Sequence, residues 1–197
     1  MVRIIWEGNK PWNEKYEGMP LHSNAIKINR PDNIFTASIP YGILPMIICF
    51  LVIFFKTWSA EDFLFDFRFI LPAFIIGFIF ALPLHELFHA LCYPKDAEVH
   101  IGLCLQKIAA FAISFNPINR RRFILMSLAP MILGIIPLII FIICPVSQKW
   151  LLTLCIVPSF MGLISPMPDY MDVCKVLKQV PEKAKIQASN EGLYWYL

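Results

Sequence analysis

The chain has 197 residues, of which 58% are hydrophobic and 16% charged, with a mean hydropathy of +0.63 and a formal net charge of +3. Soluble domains carry about a quarter charged residues, so this composition places the chain in a lipid bilayer. The small basic excess lies in loops, which suits a membrane face and argues against nucleic acid as a partner. Six cysteines are scattered without a C-x-x-C pair, several inside apolar runs. They read as small buried hydrophobes and exclude a disulfide frame or a cysteine metal cluster.

Residues 1–33 are polar, with aromatics at Trp6, Trp12 and Tyr16 and no helical or strand period. They read as a cytoplasmic arm near the headgroups. No cleaved leader is expected, because the first apolar run begins near Ile34. A first span covers 34–55 and is closed by Lys56; a connection with Glu61, Asp62, Asp66 and Arg68 follows. The second span, 69–91, contains Pro72 and Pro83 and ends in His85-Glu86-Leu87-Phe88-His89. Pro83 should loosen the helix one turn before His89.

Residues 92–122 are too polar to span. Within them the runs from His100 and from Ile108, bounded by Gly, Lys and Asn-Pro, read as a short β-hairpin. Arg120-Arg121-Arg122 marks a membrane boundary before a third span, 123–146, and a fourth, 150–166. The tail, 169–197, opens with Tyr170, Val173, Val176, Leu177 and Val180 at helical spacing and closes on Tyr194-Trp195-Tyr196, the pattern of an amphipathic interfacial helix.

The expected fold is an all-α membrane protein of about four transmembrane helices. It has a hairpin-like insertion between the second and third helices and a cytoplasmic amphipathic tail. Its three segments are the arm 1–33, the membrane domain 34–168 and the tail 169–197. Basic residues concentrate in 92–122, which puts that connection, both termini and the end of the second span on the cytoplasmic side of the cell membrane.

H-E-x-x-H on a helix sets two imidazoles on one face, about 6 Å apart, with a carboxylate between them, the arrangement that grips a metal ion and activates water. Ionisable groups in the bilayer cost about 2.5–3.5 kcal/mol each and are functional candidates by default. His85 and His89 are therefore read as zinc ligands and Glu86 as the general base. A catalytic zinc usually has a third protein ligand. The fourth span returns to the depth of the motif and breaks at Ser165-Pro166-Met167-Pro168, just before Asp169 and Asp172. Asp169 is the first candidate and Asp172, one turn later, the alternative; helix capping is a rival use for Asp169. His100 reads as a satisfied surface histidine, His22 has no spatial argument, and the charge rule sets Asp62 and Asp66 on the opposite side.

Three stretches carry a family resemblance. They are His85-Glu86-Leu87-Phe88-His89-Ala90, the entry Arg121-Arg122-Phe123-Ile124-Leu125 to a span with Ala129-Pro130, and Asp169-Tyr170-Met171-Asp172-Val173 followed by Lys178-Gln179-Val180-Pro181. From about Leu82 onward the chain resembles the small bacterial putative zincin peptidase family of membrane proteins. More distantly it is similar to the site-2 protease class. That resemblance implies an intramembrane zinc metallopeptidase with His85 and His89 as ligands, Glu86 as base and Asp169 or Asp172 as third ligand. Its substrates would be membrane-spanning or membrane-adjacent polypeptides. Where site-2 proteases carry Asp-Gly, this chain has Asp169-Tyr170 and Asp172-Val173. The competing reading is a non-catalytic zinc-binding membrane scaffold; a transporter is disfavoured by the lack of an internal repeat.

Overall fold

The computed structural model describes residues 2–11, 14–60 and 63–197. Among them, four helices are long and apolar enough to cross a membrane: Ile34–Ala60, Phe67–Leu91, Arg120–Ile143 and Lys149–Gln179. Their outer faces expose Phe35, Leu44, Phe74 and Ile143, while Ser38, Thr153 and Ser159 are enclosed. Water would penalise that distribution; a bilayer favours it, provided each hydroxyl finds a partner inside the protein. Each does, donating to the carbonyl three or four residues earlier, at Phe35, Lys149 and Cys155 respectively.

The chain divides into two compact units. One, built from Phe35–His85 and Pro130–Pro168, is helical. It contains most of α1 (Ile34–Ala60), all of α2 (Ile70–Ile79) and a π turn at Phe80–Leu84. Later in the chain it adds α5 (Ile132–Ile143) and α6 (Lys149–Ile164). Helices α5 and α6 cross at Gly134 and Gly162, where a Cβ on Gly134 would lie 2.6 Å from the Leu163 amide nitrogen. Only residues without side chains let two backbones approach so closely in lipid, where packing drives helix association. Lys56 of α1 donates to the carbonyls of Phe141, Ile142 and Cys144 at 2.6–2.8 Å, satisfying the otherwise unbonded C-terminal end of α5.

The other unit comprises Met1–Ile34, Glu86–Ala129 and Asp169–Leu197. Its first sheet has the order β1-β3-β4, from Arg3–Asn9, Glu98–Cys104 and Ala109–Ile113. Strand β1 runs parallel to β3, and β3 and β4 form an antiparallel hairpin with His100 opposite Ile113. The second sheet has the order β2-β7-β6-β5, where β2 is Ile26–Lys27, β5 Ile118–Asn119, β6 Lys185–Ser189 and β7 Gly192–Tyr196. The remaining α-helices among the described residues are α3 (His85–Leu91), α4 (Arg120–Leu128) and α7 (Met167–Gln179). A core of Ile28, Phe123, Met126, Val176, Val180 and Ile186 joins the second sheet to α4 and α7.

The chain is thus mostly helical and the expected hairpin is present, but the all-α expectation needs correction at both ends. The polar arm supplies β1 and β2, and the tail is helical only to Gln179 before it turns into the β6–β7 hairpin. Strand β1 lacked a legible period because its register shifts between Trp6 and Gly8, where Gly8 takes φ +70°. The tail helix stops because Pro181 cannot continue it.

Candidate metal centre

Helix α3 begins at His85, directly after the π turn that contains Pro83. Proline has no N–H to give the helical ladder, and the resulting slack is taken up as a wide turn, a form frequent beside functional sites. The helical repeat then sets His85 and His89 on one face, and both are buried, at 6% and 8% exposure. Asp169 lies in the first turn of α7, which restarts after the break at Ser165-Pro166. A proline in a first helical turn sacrifices no hydrogen bond, and a carboxylate there is favoured by the helix dipole.

The folding brings together His85, His89 and Asp169, whose ligand atoms all lie within 4.8 Å of one another. Nε2 of His89 is 3.4 Å from Oδ1 of Asp169. Nδ1 of the same ring is 2.9 Å from the carbonyl oxygen of Met126. A carbonyl only accepts, so Nδ1 carries the proton it donates. Nε2 and Oδ1 then face each other as two acceptors, an arrangement that needs a proton or a metal ion between them. Tetrahedral zinc with bonds of about 2.0–2.2 Å spaces its ligand atoms by about 3.3–3.6 Å, so the His89–Asp169 separation is already an edge of that tetrahedron. The donor set, two imidazoles and one carboxylate, fits zinc with a position left for water. The Met126 carbonyl fixes the tautomer and orientation of His89, as partners of metal-ligating histidines do.

Glu86 is half-buried in the first turn of α3, next to His85. Enclosure of the Tyr93 ring, with a lesser contribution from the Glu86 carboxylate, pushes the phenol above its ordinary pKa and keeps it a proton donor. Asp172 is engaged elsewhere: its oxygens accept from Nε and Nη2 of Arg30 at 2.9 and 2.7 Å. His100 sits on β3 with Nδ1 2.7 Å from Glu7, and His22 stacks on Tyr196. Asp66 caps the turn at Phe67–Phe69 and pairs with Arg68, while Asp62 lies outside the described residues. Sequence reasoning passed over Arg30, Tyr93 and Met126. Of these only Tyr93 carried a signal, seven residues or two helical turns beyond Glu86.

Fold and site together define a largely helical protein with four helices able to cross a membrane and a histidine-histidine-aspartate cluster suited to a cation. The chain belongs to the family described as putative zincin peptidase, whose model matches residues 78–185. That stretch holds His85, Glu86, His89, Asp169 and Asp172, but not Arg30. The family description supports a metallopeptidase in general terms and implies zinc as the metal of such a site. No curated protein and no solved structure matches the chain.

Proposed function

We propose that the protein is an intramembrane zinc metallopeptidase that hydrolyses peptide bonds of membrane-spanning or membrane-adjacent polypeptides. The observation that carries this reading is the 3.4 Å approach of His89 Nε2 to Asp169 Oδ1, with the far side of the imidazole held by Met126. His85, His89 and Asp169 hold the metal, and Asp169 is favoured over Asp172 because Arg30 occupies both oxygens of the latter. When bound, zinc acidifies water and polarises a carbonyl. Glu86 takes the proton from the attacking water and returns it to the leaving amine, the task of a carboxylate set between two ligands on one helix. The cluster's histidines are buried and four helices are apolar enough for the bilayer, so the peptide bond is brought to the site within or beside the membrane. The free edge of the sheet at β4 can pair with an extended segment of substrate. The basic connection 92–122 supports a cytoplasmic position for the site.

The test compares cells producing the wild-type chain with cells producing Glu86→Gln, followed by mass spectrometry of new termini in membrane proteins. The proposal predicts termini that depend on Glu86 while the variant stays folded and metal-loaded. Identical termini in both, with zinc bound in both, would establish the zinc-binding scaffold instead.

A further inference from the structure

We propose that Arg30 is a positioning residue of the metal centre, holding Asp172 off the metal so that Asp169 serves as its single carboxylate ligand; this rests on the zinc reading above. Asp169 and Asp172 are three residues apart on α7 and therefore share a face. Asp172 is 8% exposed, so its charge requires a partner. The guanidinium of Arg30 supplies one in the bidentate form, with one N–H to each carboxylate oxygen, at 2.9 and 2.7 Å.

Arg30 is delivered there by a tethered backbone. Ile28 is buried and its N–H donates to the Leu193 carbonyl at 2.8 Å. The side chain of Gln179 clamps Asn29 from both sides, accepting from its N–H at 2.8 Å and donating to its carbonyl at 3.2 Å. Segment 28–30 is thus pinned to both the end of α7 and strand β7 before Arg30 reaches Asp172. A lysine could neutralise the charge but could not occupy both oxygens in one plane. Arg30 lies outside the residues matched by the family, so in this chain the N-terminal segment completes a site whose ligands all lie within the matched stretch.

The consequence concerns coordination number. With Arg30 in place, both Asp172 oxygens are turned to the guanidinium and the site keeps three protein donors. Without Arg30, a buried anion stands one turn from Asp169, between the bound metal and Lys175, the other cation that acts on it.

The test uses the full chain in detergent, loaded with cobalt(II), whose visible bands are intense when four-coordinate and weak at higher coordination. Zinc affinity is measured alongside by chelator competition. Asp172→Asn should keep the wild-type spectrum. Arg30→Gln should show the weakened bands of higher coordination and a zinc affinity altered about ten- to a hundredfold, the range for residues behind metal ligands. The double variant Arg30→Gln/Asp172→Asn should recover both wild-type values, a rescue that a purely structural strap would not produce. Wild-type spectrum and affinity in Arg30→Gln, or loss of metal in Asp172→Asn, would overturn the proposal. If Arg30→Gln fails to fold, a double variant that folds with the wild-type spectrum supports it, and one that is also unfolded or spectrally altered overturns it. A wild-type chain that binds neither metal contradicts the zinc reading itself.

Discussion

On the proposed ligand set, replacing Asp169 with Ala removes one of three protein donors and leaves His85 and His89, on successive turns of α3, as a two-histidine site. Structural zinc sites with four protein ligands bind with about 10–16 kcal/mol, or about 2.5–4 kcal/mol per ligand. At 1.4 kcal/mol per decade, the loss of Asp169 should weaken zinc binding by about 10²- to 10³-fold without abolishing it. Asp172 is not expected to substitute, because its bidentate bond to Arg30 orients both oxygens toward the guanidinium. Asp169→Asn, which keeps the shape and loses the charge, should fall between. The assay is a competition titration against a chromophoric chelator in detergent, with circular dichroism to show that each variant is folded. An Asp169→Ala protein that binds zinc within about threefold of wild type, against the decades expected for a lost ligand, would refute the ligand set.

Other expectations follow from the packing. Gly134→Ala places a Cβ 2.6 Å from a backbone nitrogen that cannot move aside, so it should cost about 1–3 kcal/mol, read as a lower thermal midpoint in detergent. Lys56→Met leaves the carbonyls of Phe141, Ile142 and Cys144 without their charged donor and should destabilise by about 1.5–3 kcal/mol in denaturant titration, whereas Lys56→Arg should retain part of that. The His100 hydrogen bond holds the Glu7 carboxyl below its ordinary 4.5. Its contribution is therefore present above that value and lost as pH falls through the lowered native one. Protection factors of the β1 amides, corrected for the intrinsic exchange rate, should fall at acid pH in wild type, and this dependence should flatten in Glu7→Gln.

The parts of the molecule set by local chemistry were legible from the residues. Apolar length announced the four helices. The spacing of His85, Glu86 and His89 placed all three on one helix, and the prolines before Asp169 marked where a new helix would carry it. What escaped depends on contacts between distant segments. No local pattern ties Arg30 to Asp172, 142 residues away, or the Met126 carbonyl to His89, 37 residues away. Strand β1 was hidden by the shift at Gly8, and β6 by the inward-facing Gln187, whose amide is satisfied by the carbonyls of Met19 and Pro20. A buried glutamine reads as a surface residue until its partners are known.

In the proposed centre, His85, His89 and Asp169 hold one zinc ion. This ligand set is tested most directly by the metal content of the full chain purified in detergent and washed of loose metal, measured by plasma mass spectrometry for wild type and for His85→Ala. Wild type should carry one zinc per chain, and the variant almost none. Metal-free wild type, or a folded His85→Ala protein that keeps its zinc, would contradict that ligand set.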